Sequence, residues 1–208
     1  MRYLSVILIG LAAIGCNRTN DQTSRFHEDG RAKPSVAIAT MLDTTSFDVP
    51  WSLSEELTAG VMNLIKKNGQ IYVHTQEESP FTENPFGTDL SWMKREFNSE
   101  EFVAFLELVE HEFIPTQSSQ EAQDTSNNLI MAVRLRVIDL RPTSPKVVLQ
   151  ELVKESYFVP KSLIPTDYSY AVWGTQDYTT SPMHIAHTGL AKQIASRISD
   201  YVLLAKSR

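Results

Sequence analysis

Cysteine is nearly absent: Cys16 is the only one in 208 residues, so no disulfide forms within the chain. Glycine numbers only eight, and none gathers behind a strand pattern into a loop that would cradle phosphate, which excludes a P-loop or dinucleotide site. The G-x-S-x-G turn, an S-x-x-K motif with its companions and the H-E-x-x-H helix are all missing, so no presented nucleophile or zinc-hydrolase helix is predicted. No run reaches the roughly 20 apolar residues that a spanning helix needs. Basic clusters are missing as well. With 19 basic and 25 acidic residues the net charge is −6, which argues against nucleic acid and against docking on anionic lipid.

What is present starts at the N-terminus. Arg2 precedes an apolar run from Leu4 to Ile14, broken only by Ser5 and Gly10. This is the charged-then-apolar pattern of an export signal, too short to span a bilayer. Ala13-Ile14-Gly15-Cys16 follows, with small residues at 13 and 15 that admit a peptidase to the backbone. The tetrapeptide resembles the bacterial lipobox, with Ala13 where leucine is commoner. That resemblance implies cleavage after residue 15 and acyl chains (palmitate among them) on Cys16. It also accounts for an unpaired thiol in an exported chain. Each buried methylene is worth about 0.8 kcal/mol, and two acyl chains already anchor stably. Loss of residues 1–15 removes Arg2 and no acid, moving the charge to −7.

Residues 16–33 read as the lipidated cysteine and a polar tether, and 34–208 as a single globular domain. A coil of that length has an end-to-end distance of roughly 23 Å, so the domain stays near its membrane. Residues 35–42 form an apolar run bounded by Pro34 and Asp43, consistent with a buried strand. Ser52 and Glu55 make a capping box ahead of Leu53, Leu57, Val61, Leu64 and Ile65, one helical face closed by Lys66, Lys67 and Gly69. Residues 71–75 give the next strand, and the unit favours parallel pairing. Asn98 and Glu101 then suggest a second cap before a helical stripe of Phe102, Phe105, Leu106 and Val109. Residues 113–116 read as a short edge strand because of Pro115, and 117–128 as a loop.

Leu129, Met131, Val133, Leu135 and Val137 alternate with a row holding Arg134 and Arg136, a strand with one buried and one wet face. A turn over 141–146 returns the chain along 147–159, where Glu151 and Glu155 are expected to pair with Arg134 and Arg136. Ser181 and Pro182 open a last helix with Met183, Ala186, Leu190, Ile194, Ile198 and Tyr201 on its apolar face. The expected fold is α/β, an α+β sandwich with a mixed sheet in the order β-α-β-α-β-β-β-α. That order, behind a lipobox and tether, resembles penicillin-binding-protein activators and the curli-secretion lipoprotein, and so implies an anticodon-binding-like fold. The chain also resembles uncharacterised lipoproteins of Chlamydiae. The tether is too short to cross a periplasm, and the charged hairpin 129–159 is unsuited to lipid.

Candidate chemistry is sparse. His184 and His187 sit three apart on the last helix without a third ligand nearby, so no metal is expected. Glu55-Glu56 and Glu100-Glu101 fall at expected helix starts, where carboxylates complement the helix dipole; Glu77-Glu78 falls in a loop. No cofactor and no catalytic residue is predicted. Tyr168, Tyr170, Trp173 and Tyr178 place four aromatics in eleven residues of a long connection. They form either a partner interface or a lid over the sheet, with Trp173 and also Trp51 and Trp92 expected to pack inward. The expected role is a non-catalytic accessory module of the envelope. It is held through lipid to a membrane, the outer one favoured, with its domain in the periplasm and another envelope protein as partner. A periplasmic hydrolase and a subunit of an oligomeric secretion or lipid-transport assembly are the alternatives.

Overall fold

The computed structural model describes residues 25–75, 83–116 and 126–208. Helix α1, Leu53–Asn68, starts where its capping signature predicts: the Ser52 hydroxyl accepts from the Glu55 N–H at 3.1 Å. Gly69 ends it with φ +73°, a left-handed turn that glycine adopts without Cβ strain. Helix α4, Pro182–Lys206, is capped in the same way, Ser181 accepting from the His184 N–H at 3.1 Å. Met183, Ala186, Leu190, Ile194 and Ile198 are all buried along its predicted face.

Six strands make one mixed sheet in the order β3-β1-β4-β5-β6, with β2 also alongside β4. They are β1 Ser35–Ile38, β2 Leu42–Asp43, β3 Tyr72–Thr75, β4 Phe102–Pro115, β5 Asn127–Asp139 and β6 Lys146–Val159. β1 lies parallel to β3 and to β4, and the β4-β5-β6 meander is antiparallel. The predicted 35–42 strand is thus two pieces, both parallel to β4. Ahead of β1 a small turn is closed by the Phe26–Ala32 bridge, and Arg25 lies over the Tyr72 ring.

One expected element is overturned. Residues 102–109 are not a helix but the start of β4, and 113–116 belong to the end of that same 14-residue strand. Its helix-like spacing is part of a nearly continuous apolar run, which is also what a strand buried on both faces looks like. Helices α1 and α4 cover Phe102, Ala104, Leu106 and Leu108 on one face. On the other, Val103 and Phe105 are covered by Trp92, Met93 and Phe97 around the short helix α2, Met93–Glu96. That helix fills the second α position of the expected order. Pro115 is tolerated because, among the described residues, only β5 flanks β4 at its far end.

The second layer also corrects the reading of the hairpin. Arg136 is buried, donating from Nη1 to the carbonyls of Pro85 and Gly87 at 2.9 and 2.7 Å. Glu151 and Glu155 do not pair with Arg134 or Arg136. They lie opposite Leu135 and Met131, on the helix face of the sheet, where Glu151 meets Arg197 and Glu155 meets Gln193. Arg134 instead pairs with Glu107 at 3.1 Å. Glu100, expected at a helix start, is a buried loop carboxylate 3.0 Å from His74 Nδ1.

Phe105 tests the outer layer: its ring is 1% exposed and packs 5.7 Å from Phe97 and 6.0 Å from Trp92. Phe105→Ala should cost about 3–5 kcal/mol in urea unfolding, the usual range for an aromatic deleted from a packed core.

Candidate functional site

The helix face of the sheet carries one polar group sunk among apolar side chains, assembled from four separate elements. Glu56 stands in the first turn of α1, His187 in the second turn of α4, and Tyr178 in the short helix α3, Gln176–Thr179, capped by Thr175. His111 comes from β4. In regular alternation, the residues facing the helices along β4 run Phe102, Ala104, Leu106, Leu108, and Glu110 would be next. A β-bulge between Leu108 and Glu110 shifts the phase, so His111 faces Met131 and the helices while Glu110 turns outward to Lys154 at 2.8 Å. Re-aiming one side chain in this way is what a bulge accomplishes.

The hydrogen bonds run in a chain. Trp51 Nε1 donates to Glu56 Oε2 at 2.8 Å, and the Tyr178 hydroxyl donates to Oε1. His187 Nδ1 is 2.8 Å from the same Oε1 and 3.1 Å from the Tyr178 oxygen. A carboxylate only accepts, so His187 Nδ1 carries a proton. His187 Nε2 meets His111 Nε2 at 2.8 Å. One of these two nitrogens carries the proton of the contact and the other accepts it. Exposure is 6% at Glu56, 4% at His111, 2% at His187 and 1% at Tyr178. Phe47 closes the far end, its ring 4.3 Å from His111, and among the described residues His111 Nδ1 has no hydrogen-bond partner.

Burial raises the Glu56 pKa, but the hydrogen bonds and charge of His187, with the Tyr178 hydroxyl and the Trp51 indole, outweigh it. The carboxyl therefore ends below its ordinary value. His111 is pushed down to about 3, first by burial and then by its neighbour His187. The Tyr178 hydroxyl is pushed up, by burial and then by the Glu56 charge. The result is an ionised carboxylate with both oxygens satisfied, an imidazole with both nitrogens engaged, and a neutral imidazole facing a phenyl ring. No hydroxyl or thiol nucleophile ends the chain. Among the described residues no three His, Cys, Asp or Glu side chains are grouped so as to hold a metal ion.

Above this group a groove of about 250 Å³ runs between α1 and α4, with Glu56, Gly60, Trp173, His184, His187 and Ala191 among its lining residues. The helices approach closely at Gly60, where an added Cβ would come 3.4 Å from the Ala191 Cβ. His184 rests edge-on against the Tyr178 ring, 5.2 Å between centroids.

The four aromatics of the 168–178 segment divide. Tyr178 is fully buried, and Tyr168 is half-buried with its ring 6.3 Å from Trp51, so these two fasten the segment. Tyr170 is 77% exposed, and Trp173, expected to be buried, is 38% exposed at the groove. Sequence reasoning named Tyr178 but missed its partner, the buried Glu56 carboxylate that its hydroxyl serves. Cys16 lies outside the described residues. Glu56 and His187 had a signal: each is a polar residue set in its helix's apolar stripe. His111 had none, since nothing in the sequence announces the bulge.

A match to a family of unknown function (DUF7499) covers residues 22–206. The chain belongs to that family. No curated protein matches it. Among solved structures it is similar to the hypothetical protein CT253 from Chlamydia trachomatis, at 21% identity and a TM-score of 0.67, over 82% of this chain and 98% of that one. The two share a fold. Looser likenesses include protein XCC0632 from Xanthomonas campestris (8% identity, 85% and 87% covered, TM-score 0.49). A minor lipoprotein from Acinetobacter baumannii is another (11%, 81% and 92%, 0.40).

The pKa shifts set a pH dependence. The unfolded chain protonates His111 near the ordinary histidine value of 6.5 and the native protein only near 3. The unfolded state therefore binds more protons in between, and stability falls as pH drops through that window. Glu56 acts in the same direction. Its contribution is present above its unfolded value and is lost as acid carries the pH through the lower folded one. Urea midpoints measured at pH 8, 6 and 4 should fall steadily below about 6.5, and His111→Phe should fall less. An equal slope in the variant would remove His111 from this account.

Proposed function

We propose that the chain is an envelope lipoprotein, held to a membrane by acyl chains on Cys16, whose domain is a non-catalytic module that binds another envelope protein. The observation that carries the binding half is the arrangement of the aromatic segment. Tyr168 and Tyr178 hold it against Trp51 and Glu56, while Tyr170 stands in solvent and Trp173, partly exposed, lines the groove. Exposed aromatics on an immobilised backbone lose little entropy on binding, which is why Tyr and Trp serve as interface anchors. The closed Glu56–His187–His111 chain supports binding over hydrolysis, because it ends on Phe47 and not on a nucleophile.

The anchoring half rests on the Ala13-Ile14-Gly15-Cys16 pattern behind a short apolar run. Among the described residues no helix is long and apolar enough to cross a membrane. Asn17 after the cysteine favours the outer membrane, with the domain in the periplasm. Arg25 lies by Tyr72 at the start of β3. This is the end of the sheet where α4 finishes, Lys206 reaching Glu101. The 25 residues of α4 separate that end from the aromatic segment by roughly 37 Å. Such a layout suits a partner approaching from the side away from the anchor.

Two measurements test the proposal in cells making the full chain. An alkyne analogue of palmitate should label the parent chain, and Cys16→Ala should lose both label and membrane fractionation; a label that survives removes the anchor. A photo-crosslinking residue at position 170 should capture a discrete envelope protein. Tyr170→Ala with Trp173→Ala should then weaken that complex by about 30-fold, the loss of one hot spot of roughly 2 kcal/mol. Undiminished affinity would rule the segment out as the interface.

A further inference from the structure

Ser35 pairs with Tyr72, Val36 with Phe102, Phe102 with Asp139 and Asp139 with Lys146. Strands β1, β3, β4 and β6 thus begin, and β5 ends, at one end of the sheet. Helices α1 and α4 run side by side in the same direction, Glu56 beside His187 and Gly60 beside Ala191. Both finish at that same end, where Lys206 reaches Glu101. The described chain starts there too, with Arg25 over Tyr72, nine residues after Cys16. Nine extended residues reach at most about 30 Å.

A net charge of −6 argues against docking on anionic lipid, but the fold separates the charges. This end exposes Arg25 and Arg31 of the opening turn, Lys67 of α1, and Arg141 and Lys146 around the β5–β6 turn. Lys206 and Arg208 of α4 complete the set. Glu28, Asp29 and the terminal carboxylate oppose them in solvent, while Glu100 and Asp139 are buried against His74 and Arg141. The opposite end exposes Asp48, Glu55, Glu112, Asp167 and Asp177, with Lys161. Two grooves flank the last turns of α4. One, of about 590 Å³, is lined by Arg141, Lys146 and Arg208, with Asp139 held by Arg141. Val147 and Leu204, 41% and 49% exposed, lie between those cations. The other, of about 220 Å³, is lined by Arg31 and Lys206 with His27 and Leu203. Phe26, 54% exposed, stands in the opening turn beside it.

We propose that this end of the domain docks on the anionic headgroups of the membrane that holds Cys16. Lipid phosphates enter the two grooves, and Phe26, Val147 and Leu204 reach the boundary between headgroups and acyl chains. Cations interleaved with apolar side chains suit that boundary, because the charges attract anionic lipid while the apolar groups leave water. The proposal rests on the lipid anchor at Cys16, which also makes a weak contact sufficient. So short a tether keeps the domain at a local concentration of millimolar order, and a second signal of this kind adds to the hold of the acyl chains. Docking here sets the sheet upright and turns Tyr170 and Trp173 away from the bilayer.

The test uses the full lipidated chain, purified from membranes and reconstituted in vesicles that carry a headgroup quencher. The vesicles are phosphatidylcholine alone or phosphatidylcholine with about 30% phosphatidylglycerol, which supplies the anionic surface. A fluorophore on Ser144→Cys, exposed in the β5–β6 turn, reads this end, and one on Gln176→Cys reads the other. Quenching at 144 is expected on the anionic vesicles, with none at 176. It should be lost on phosphatidylcholine, and at about 1 M salt, where the Debye length is near 3 Å. Lys67→Glu, Lys146→Glu and Arg208→Glu together should abolish it while the chain still floats with the vesicles. If that variant misfolds by circular dichroism, the lipid and salt arms decide with the parent charges alone. Equal quenching on both lipids or quenching at 176 would overturn the docking. So would displacement by soluble glycerol phosphate, which would mark a small-anion site. Flotation on phosphatidylcholine reads the anchor separately. A chain that fails to float there lacks acyl chains, and docking then stands only if anionic vesicles still carry it.

Discussion

A carboxylate in an apolar interior keeps its charge only when both oxygens are satisfied, and the arrangement around Glu56 follows from that requirement. Trp51 supplies one hydrogen bond, Tyr178 and His187 supply the others, and His111 completes the imidazole. Each donor arrives on a different element, so the network ties α1, α3, α4 and β4 to a single point. Breaking one partner of such a buried pair costs several kcal/mol, because a charge is left without compensation. Replacing the whole group with apolar residues would not carry that cost. The network is thus better understood as specifying one arrangement of the layers than as adding net stability.

The geometry of that point explains why the aromatic segment is both fixed and exposed. Tyr178 must reach Glu56, so the chain between β6 and α4 is drawn down over the helix N-termini. Tyr168 follows against Trp51, and most of the residues between them, Ala171 and Val172 excepted, are left in solvent. A connection of this length would otherwise be free to move, and in the proposed binding role its exposed aromatics would pay for ordering on every encounter. Fastening at two aromatic positions removes much of that cost. The groove beside Trp173 has a related origin: Gly60 and Ala191 bring the two helices together, and the larger side chains around them leave space.

Much of the fold was legible from patterning alone. The caps of α1 and α4, the parallel pairing of β1 with β3 and the long β5–β6 hairpin each follow from local signals of one or two residues. The misreading of 102–109 has a definite cause. A strand buried on both faces loses its alternation, and Phe102, Phe105, Leu106 and Val109 then match a helical spacing by coincidence. The second layer over Phe105 and Arg136 could not be anticipated either, because the segment 83–97 carries no strong periodicity. Its effect was to bury an arginine that alternation had assigned to water.

The sequence by itself determined the capped helices and the mixed α/β class, since these depend on residues close together in the chain. Tertiary structure decided the site. Glu56 and His187 are 131 positions apart, and His111 reaches them only through a one-residue bulge. No local propensity encodes such a meeting. It arises because a buried charge accepts only an arrangement that supplies its hydrogen bonds, and that condition is set by the assembled core.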